Sequence, residues 1–428
     1  MKTQTIYKDN VYLKDLNGRI TGIYSIDDKT LLTFDRTIFF PTGGGQSHDI
    51  GKIIWKSKEI PVVDVYEKEG EIYHQVILDS LYNSDCEIEN RTKNTDSFSK
   101  GDDVQLQIDW NHRFDNMQRH CGEHILSGAF YKLYKGINRG FHMGKDYMTI
   151  DISLEVSPFD KITWKMAKEA ELETNKVIWE NLPVITTHYD TKEEASVEPL
   201  RKELKISSDI TIVRIGSFNE PSDAVACCGT HPSHSGQVGM LKIYKIEPNK
   251  GMTRIYFDAG KRAFKNYQRD YDVLTKINNK LSAGTEDLLD KFKSMEEHTH
   301  GVKARLHNLE KILINSKVKA LKPDLEAITG GVLIKTYDDI SKDMIQSIGR
   351  QLTKNHSLPD EVLLILSSSP GTFAILYASP SSKYHCGNIV KEKGRPIGGK
   401  GGGNQTSAQV TFETSNELNN FLGYLKTL

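Results

Sequence analysis

Two histidines, His120 and His124, stand four residues apart in Arg119-His120-Cys121-Gly122-Glu123-His124, at the head of an apolar run of Ile125, Leu126, Ala129, Phe130 and Leu133. That spacing predicts a helix with one buried face, ending near Gly136. Side chains at i and i+4 lie one above the other on a helix, so the two imidazoles converge on one point. Taken alone, such a pair reads equally as packing or surface histidines, because two ligands do not make a metal site. The residues that complete it come far downstream, in Ala226-Cys227-Cys228-Gly229-Thr230-His231-Pro232-Ser233-His234. Cys227 lies four residues before His231 and Cys228 three, so with His120 and His124 either cysteine completes a set of three imidazoles and one thiolate suited to one tetrahedral Zn²⁺. The plainer alternative is a buried free-thiol pair beside a surface histidine. Two split clusters in one chain favour the metal, and a fold that serves it must bring them together.

The histidine helix is not that of a metalloprotease. HExxH needs a glutamate directly after the first histidine to act as general base, and here Cys121 stands there while Glu123 comes three residues on. Four protein ligands would also close the tetrahedron, whereas a catalytic zinc keeps one position for water. Either one ligand is displaceable, or zinc organises the site without activating water.

Around these motifs the chain predicts an α+β protein of several domains, since 428 residues exceed what one core serves. Residues 1–97 alternate apolar and polar positions in short runs such as Lys52-Ile53-Ile54-Trp55, which predicts a small N-terminal β-barrel. Within it, Pro41-Thr42-Gly43-Gly44-Gly45-Gln46 forms a turn whose backbone can approach a ligand closely. Alone, it would be an ordinary hairpin loop. Asn83 to Lys100 is polar and reads as an exposed connection. Residues 98–259 mix helices and strands without regular βαβ alternation and form the α+β domain that carries the metal motifs. Strands at 210–215, 240–246 and 254–257 are expected to complete its sheet.

Residues 260–325 are helical and polar. Leu274, Leu281, Leu288, Met295, Val302 and Leu309 fall seven apart, a coiled-coil-like seam broken near Ser282-Ala283-Gly284-Thr285. A helical hairpin or two packed helices is expected there. Residues 261–325 hold 14 Lys/Arg against 9 Asp/Glu, an excess of five that is usually a solvated face but can meet RNA phosphate. Residues 326–428 form a C-terminal α/β domain. Its buried strands are expected at 331–334, 362–366 and 373–377, its helices at 343–352 and 416–427, and a glycine-rich loop carries Lys400.

Charge and cysteine usage exclude other classes. With 56 basic and 57 acidic residues the chain is not a globally basic nucleic-acid binder. Five scattered cysteines suit a reducing cytosol rather than a secreted disulfide framework. The N-terminus lacks an apolar signal core, so a soluble cytoplasmic protein is expected.

The set Phe40-Pro41-Thr42-Gly43-Gly44-Gly45-Gln46 with Asp49 and Gly51, then His120-x-x-x-His124, then Cys227-Cys228-Gly229-Thr230-His231, resembles the editing domain of alanyl-tRNA synthetase and the free-standing AlaX proteins that carry it. Gly399-Lys400-Gly401-Gly402-Gly403 with Ala408-Gln409 resembles the synthetase's C-terminal domain. The likeness covers nearly the whole chain in the same order, with no room for an aminoacylation domain. It implies a long-form AlaX, a hydrolase that deacylates tRNA(Ala) mischarged with serine or glycine. By position it implies His120, His124, Cys227 and His231 as zinc ligands. Thr42 and Gln46 would serve in the catalytic pocket, and Gly43, Gly44, Gly45 and Lys400 would bind substrate or tRNA. Cys228 stands where that family usually has glycine, so Cys228 and His234 stay open as alternative ligands. The resemblance also implies tRNA contact and a homodimer through the C-terminal region.

Three other readings compete. Gly394-x-x-x-x-Gly399-Lys400 nearly spells a P-loop, but Gly401 stands where Ser or Thr should hold Mg²⁺. A DHH phosphoesterase fails for want of an Asp-His-His motif. A non-catalytic RNA-binding protein with a structural zinc fits the four-ligand closure and the basic helical segment.

Overall fold

The computed structural model describes residues 2–27, 29–78, 98–338, 340–354, 358–369 and 371–428. The expected polar connection lies largely in 79–97, outside the described residues. The chain divides into two compact units, Met1–Lys276 and Ile277–Leu428.

The first unit opens with β1 (Gln4–Thr5), α1 (Ile6–Asp9), β2 (Asp15–Ile26), β3 (Lys29–Phe34), β4 (Arg36–Thr37), β5 (Gly51–Trp55), β6 (Lys58–Lys68), β7 (Glu71–Val76) and β8 (Asp103–Ile108). Six of these strands close a barrel in the order β2-β3-β7-β6-β5-β8. The barrel therefore runs past residue 97, because β8 bonds to both β2 and β5 and seals the seam between them. Alternation along each strand sends Leu32, Phe34, Ile53, Trp55, Ile60 and Leu106 into one core. His74 sits among them, fully buried, between the rings of Phe34 and Phe39.

After the barrel comes α2 (Trp110–Tyr134), the histidine helix. Asp109 caps its start by accepting from the His112 amide at 3.1 Å. Lys135, in the left-handed conformation, ends it. The expectation of one buried face is too small: every residue from Arg119 to Phe130 is buried, while Leu133 is exposed. The cause is a layer on each side of the helix. Strands β9 (Ile137–Met143) and β10 (Met148–Ser153), helices α3 (Trp164–Trp179) and α4 (Lys192–Ala195), and strands β11 (Val184–Thr191), β12 (Ser208–Gly216), β13 (Pro221–Ala226), β14 (Leu241–Asn249) and β15 (Met252–Ala259) follow. These strands form two sheets, β14-β15-β10-β9 and β11-β12-β13, where the alternation suggested one. A Cβ on Gly122 would lie 2.6 Å from Ala259 Cβ of β15, and one on Gly128 would lie 2.1 Å from the Ser222 carbonyl of β13. Two glycines thus let both sheets close on the helix.

Helix α5 (Gly260–Leu281) ends at Ser282, whose φ is +50°, and α6 (Leu288–Ala327) begins after a short break. In α6 the expected seam is exposed at Met295, Val302 and Leu309, with Phe292, Leu306 and Leu313 beside it. Further on, Ile314, Val318, Leu321 and Leu325 turn the same helix into the core of the second unit. There β16 (Gly331–Asp338), α7 (Lys342–Lys354), β17 (Val362–Ser369), β18 (Phe373–Ala378), α8 (Cys386–Ile389), β19 (Lys400–Gly403), β20 (Ser407–Thr411) and α9 (Ser415–Leu425) build a five-stranded sheet ordered β16-β17-β18-β20-β19. Leu364 and Leu366 face one core and Leu363 and Ile365 the other, which explains the unbroken apolar run of β17. The glycine-rich segment is an edge strand rather than a loop. Its glycines are needed because a Cβ on Gly401 would lie 2.0 Å from the Gln409 carbonyl of β20. No helix among the described residues is long and apolar enough to cross a membrane.

Candidate metal centre

The first unit brings the two halves of the motif together. One ligand atom each from His120, His124, Cys227 and His231 lie within 4.8 Å of one another, all in buried or half-buried positions. Cys227 Sγ is 3.4 Å from His120 Nε2 and 3.8 Å from His231 Nε2. A tetrahedral zinc with Zn–S and Zn–N bonds of usual length sets that edge at roughly 3.6 Å. The donor set and its spacing therefore fit such an ion.

The outer contacts orient the rings. His120 Nδ1 donates to Gln46 Oε1 at 3.0 Å, and His124 Nδ1 to Asp223 Oδ2 at 3.0 Å. Each bond fixes the proton on Nδ1 and leaves Nε2 as the lone-pair donor toward the centre. Asp223 is in turn held by Arg201, at 2.5 Å from Nε. Burial would raise the Asp223 carboxyl, yet Arg201 and His124 hold it below its usual range. Burial would likewise raise the Cys227 thiol, but the imidazoles of His120, His124 and His231 hold it well below normal. His124 is pushed up to about 10 against its desolvation, by the sulfur of Cys227 and by Asp223. His231 goes the other way, to about 4, through burial, and its Nδ1 has no hydrogen-bond partner. Cys121, on the same helix, is fully buried and its thiol is pushed up by desolvation, so it is a packing residue.

Gln46 does more than reach the histidine. Its Oε1 also accepts from the Thr230 amide at 3.0 Å, and its Nε2 donates to Thr230 Oγ1 at 2.8 Å. It thereby ties helix α2 to the Cys227–His231 loop. The turn that delivers it is a two-residue hairpin: Gly43 N–H donates to the Gln46 carbonyl at 3.1 Å and Gln46 N–H to the Gly43 carbonyl at 2.9 Å. Gly44 and Gly45 have φ of +59° and +83°, values that favour glycine at both central positions of such a turn. The Gly43 amide is consequently spent on the turn and not offered to a ligand. A Cβ on Gly45 would strike the ring of Phe141, which stacks on His120. Behind the turn, Asp49 and Arg113 form a fully buried ion pair, and Asp49 also accepts from the Phe40 amide. This pair anchors the glycine segment to the start of α2.

Not every predicted site residue joins the cluster. Thr42 is exposed, with its amide bound to the Val65 carbonyl at 3.0 Å. Lys400 belongs to the second unit, on β19, where it pairs with Glu413 at 3.0 Å. Cys228 is exposed beside Gly44, and His234 bonds Ser233. Neither belongs to the four-residue group. Sequence reasoning missed Asp223, Arg201, Thr230 and Phe141. Only Thr230 lay inside a motif; the others come from strands and loops with no local signal. It also missed a cleft of about 490 Å³ that reaches Cys227, Cys228 and Gly44 and is walled by Lys2, Lys8 and Glu67.

Comparison with known proteins identifies the family. The chain is 31% identical over 423 residues to alanyl-tRNA editing protein AlaX-L of Pyrococcus horikoshii, a match spanning 97% of this chain and 96% of that one. The chain belongs to the AlaX-L family of alanyl-tRNA editing proteins. Residues 210–256, which include the Cys227–His231 loop, match the threonyl and alanyl tRNA synthetase second additional domain. The alanine–tRNA ligases of Methanopyrus kandleri and Pyrococcus abyssi are 24% and 26% identical over 95% of this chain, which spans 42% of each ligase. Cys228 is the exposed neighbour of the half-buried Cys227.

Proposed function

We propose that the chain is a trans-acting hydrolase that removes serine or glycine from mischarged tRNA(Ala). The carrying observation is the convergence of His120, His124, Cys227 and His231 beside an open cleft, in a chain that matches AlaX-L end to end. In the reaction a water oxygen bonds to the aminoacyl carbonyl carbon, the bond to the ribose oxygen breaks, and that oxygen takes a proton. A zinc ion held by the four residues would supply a positive charge that polarises or orients the ester end. Gln46, in this reading, is a positioning residue acting through His120. The exposed Gly44 and Gly45 amides and Thr42 lie on the same turn and meet the substrate there, and Lys400 contacts tRNA from the second unit. The exposed seam of α6 serves a homodimer, and the scattered cysteines fit a cytoplasmic setting.

The test is hydrolysis of Ser-, Gly- and Ala-tRNA(Ala), with zinc content measured on the same sample. Ser- or Gly-tRNA(Ala) should be deacylated and Ala-tRNA(Ala) spared, and His120→Ala and Cys227→Ala should lose zinc and activity together. Binding of tRNA without hydrolysis of any ester would sink this reading. It would favour an RNA-binding protein with a structural zinc, which the closed four-ligand set also fits.

A further inference from the structure

The cleft at Cys227 carries a charge pattern that the metal-type cluster does not explain. Lys2 and Lys8 line it together with Glu67 and Asp209, so its wall presents both signs. Among the described residues neither lysine has a carboxylate within ion-pair distance. The backbone that bears them is fixed. Thr3 and Tyr7, their inward-facing neighbours, are buried. Gln4 and Thr5 pair in parallel with Arg36 and Thr37, and the Gln4 amide bonds the Asp35 carbonyl at 2.9 Å. Tyr7 stacks edge-on against Phe40, at 5.5 Å, just before the glycine turn. Lys2 lays its stem along Gly70, where a Cβ would be 3.5 Å from Lys2 Cε. Two lysines without an ion-pair partner among the described residues, one just before β1 and one on α1, thus line a cleft that Cys227 and Cys228 also line.

The ligand that matches is small and carries both charges. A volume of about 490 Å³ lies within the range of small-molecule sites. An aminoacylated terminal nucleotide has an ammonium on the amino acid and a phosphate on the 5′ side of the ribose. We propose that Lys2 and Lys8 grip the 5′-phosphate of the terminal nucleotide of the charged tRNA, with the ester lying toward Cys227. This inference rests on the hydrolase reading above and adds to it a built phosphate subsite in the first unit. A lysine ammonium is a mobile point charge that suits a phosphate without demanding one geometry.

The experiment uses the whole protein and two minimal substrates, 2′(3′)-O-seryl-adenosine and its 5′-monophosphate, beside Ser-tRNA(Ala). The readout is the ratio of kcat/KM for the phosphorylated over the unphosphorylated nucleoside. Two exposed lysine contacts should set this ratio at about fivefold to tenfold, expressed in KM. It should collapse toward one in Lys2→Ala/Lys8→Ala and persist in Lys161→Ala/Lys165→Ala, which removes the same charge from exposed lysines elsewhere in the first unit. A ratio near one in the unaltered protein, with both nucleosides hydrolysed, overturns the subsite and leaves the hydrolase reading standing. An equal fall in both double variants also overturns it, since overall charge would then be the cause. No hydrolysis of Ser-tRNA(Ala) overturns the hydrolase reading and this inference with it.

Discussion

Gln46→Leu isolates what the glycine turn contributes to the metal centre. Leucine fills a comparable volume at a position that is 1% exposed, so packing is largely kept. What disappears is one acceptor shared by His120 Nδ1 and the Thr230 amide, each at 3.0 Å, and one donor to Thr230 Oγ1 at 2.8 Å. Three buried polar groups then lack partners. A stranded buried group costs about 1–3 kcal/mol, and the three share one network, so a loss on the order of 3 kcal/mol in stability is expected. His120 also loses the contact that sets its tautomer and ring angle. Loss of such an outer contact typically weakens metal affinity about 10- to 100-fold, or about 1.4–2.7 kcal/mol. Glu at 46 keeps the acceptor for both N–H groups, and the Thr230 hydroxyl can turn to donate to it, so Gln46→Glu should hold zinc far better than Gln46→Leu. Competition against a chromophoric chelator measures both. Unaltered zinc affinity in Gln46→Leu would refute the positioning argument, and lost deacylation on top of that would make Gln46 a residue that touches substrate.

Other perturbations follow from the same geometry. Gly229→Ala should cost at least about tenfold in zinc affinity by chelator competition, since its Cβ would lie 2.3 Å from the His120 ring and 2.9 Å from Gln46 Oε1. His74, buried and neutral with its pKa lowered to about 4 by desolvation, stabilises the fold fully above its unfolded value near 6.5. That contribution, about 3 kcal/mol, is lost as pH falls from 6.5 toward 4, because only the unfolded chain takes up the proton there. Urea unfolding across this range should show the fall, and His74→Gln should flatten it. Val302→Asp with Leu306→Asp, in the exposed seam of α6, should turn a dimer into a monomer by light scattering. A monomeric unaltered protein removes that expectation.

Much of this architecture was legible because it is written in local period. The alternation in 1–97 predicted a barrel, and the run Val362–Leu366 predicted a buried strand, which proves to face a core on each side. What escaped was non-local. The barrel's sixth strand lies beyond a polar connection, so pattern alone assigned it to the next domain. The helix expected to bury one face is buried all round from Arg119 to Phe130 because Gly122 and Gly128 admit two sheets, and a glycine in a helix does not announce what it lets in. The same division holds in the site. Three imidazoles and a cysteine could be named from residue type and spacing, the resemblance pointed to Cys227 over Cys228, and the fold gathers those four. Asp223 and Arg201 could not, because only the fold brings Asp223 to the His124 ring and Arg201 to Asp223. The glycine run around Lys400 read as a loop, yet its glycines serve strand pairing on β19, where a Cβ on Gly401 would meet the Gln409 carbonyl.

The centre joins three pieces of chain, the barrel turn at Gln46, helix α2, and the loop after β13, of which the first two are also tied by Arg113–Asp49, His112–His48 and Asn116–Ser47. Its occupancy should therefore be felt as stability of the whole first unit. An ion that binds only the folded state stabilises it by about 4 kcal/mol when free zinc stands at a thousand times the dissociation constant. In a unit of this size, about 2–4 °C accompanies each kcal/mol, so stripping the ion should lower the melting temperature by roughly 10 °C. The comparison is a zinc-saturated sample against one treated with chelator, with metal content confirmed on each. His231 sharpens it, because its Nδ1 has no partner and its Nε2 faces only Cys227 among hydrogen-bonding groups. Without the ion, the sulfur is that ring's one hydrogen-bonding contact among the described residues, beside its packing on the His120 and His124 rings, and the loop from Cys227 to His231 should be the first segment to lose amide-exchange protection. An unchanged melting temperature in protein shown to have lost its zinc would mean that Gln46, Asp223 and the buried Arg113–Asp49 pair hold the three pieces together unaided.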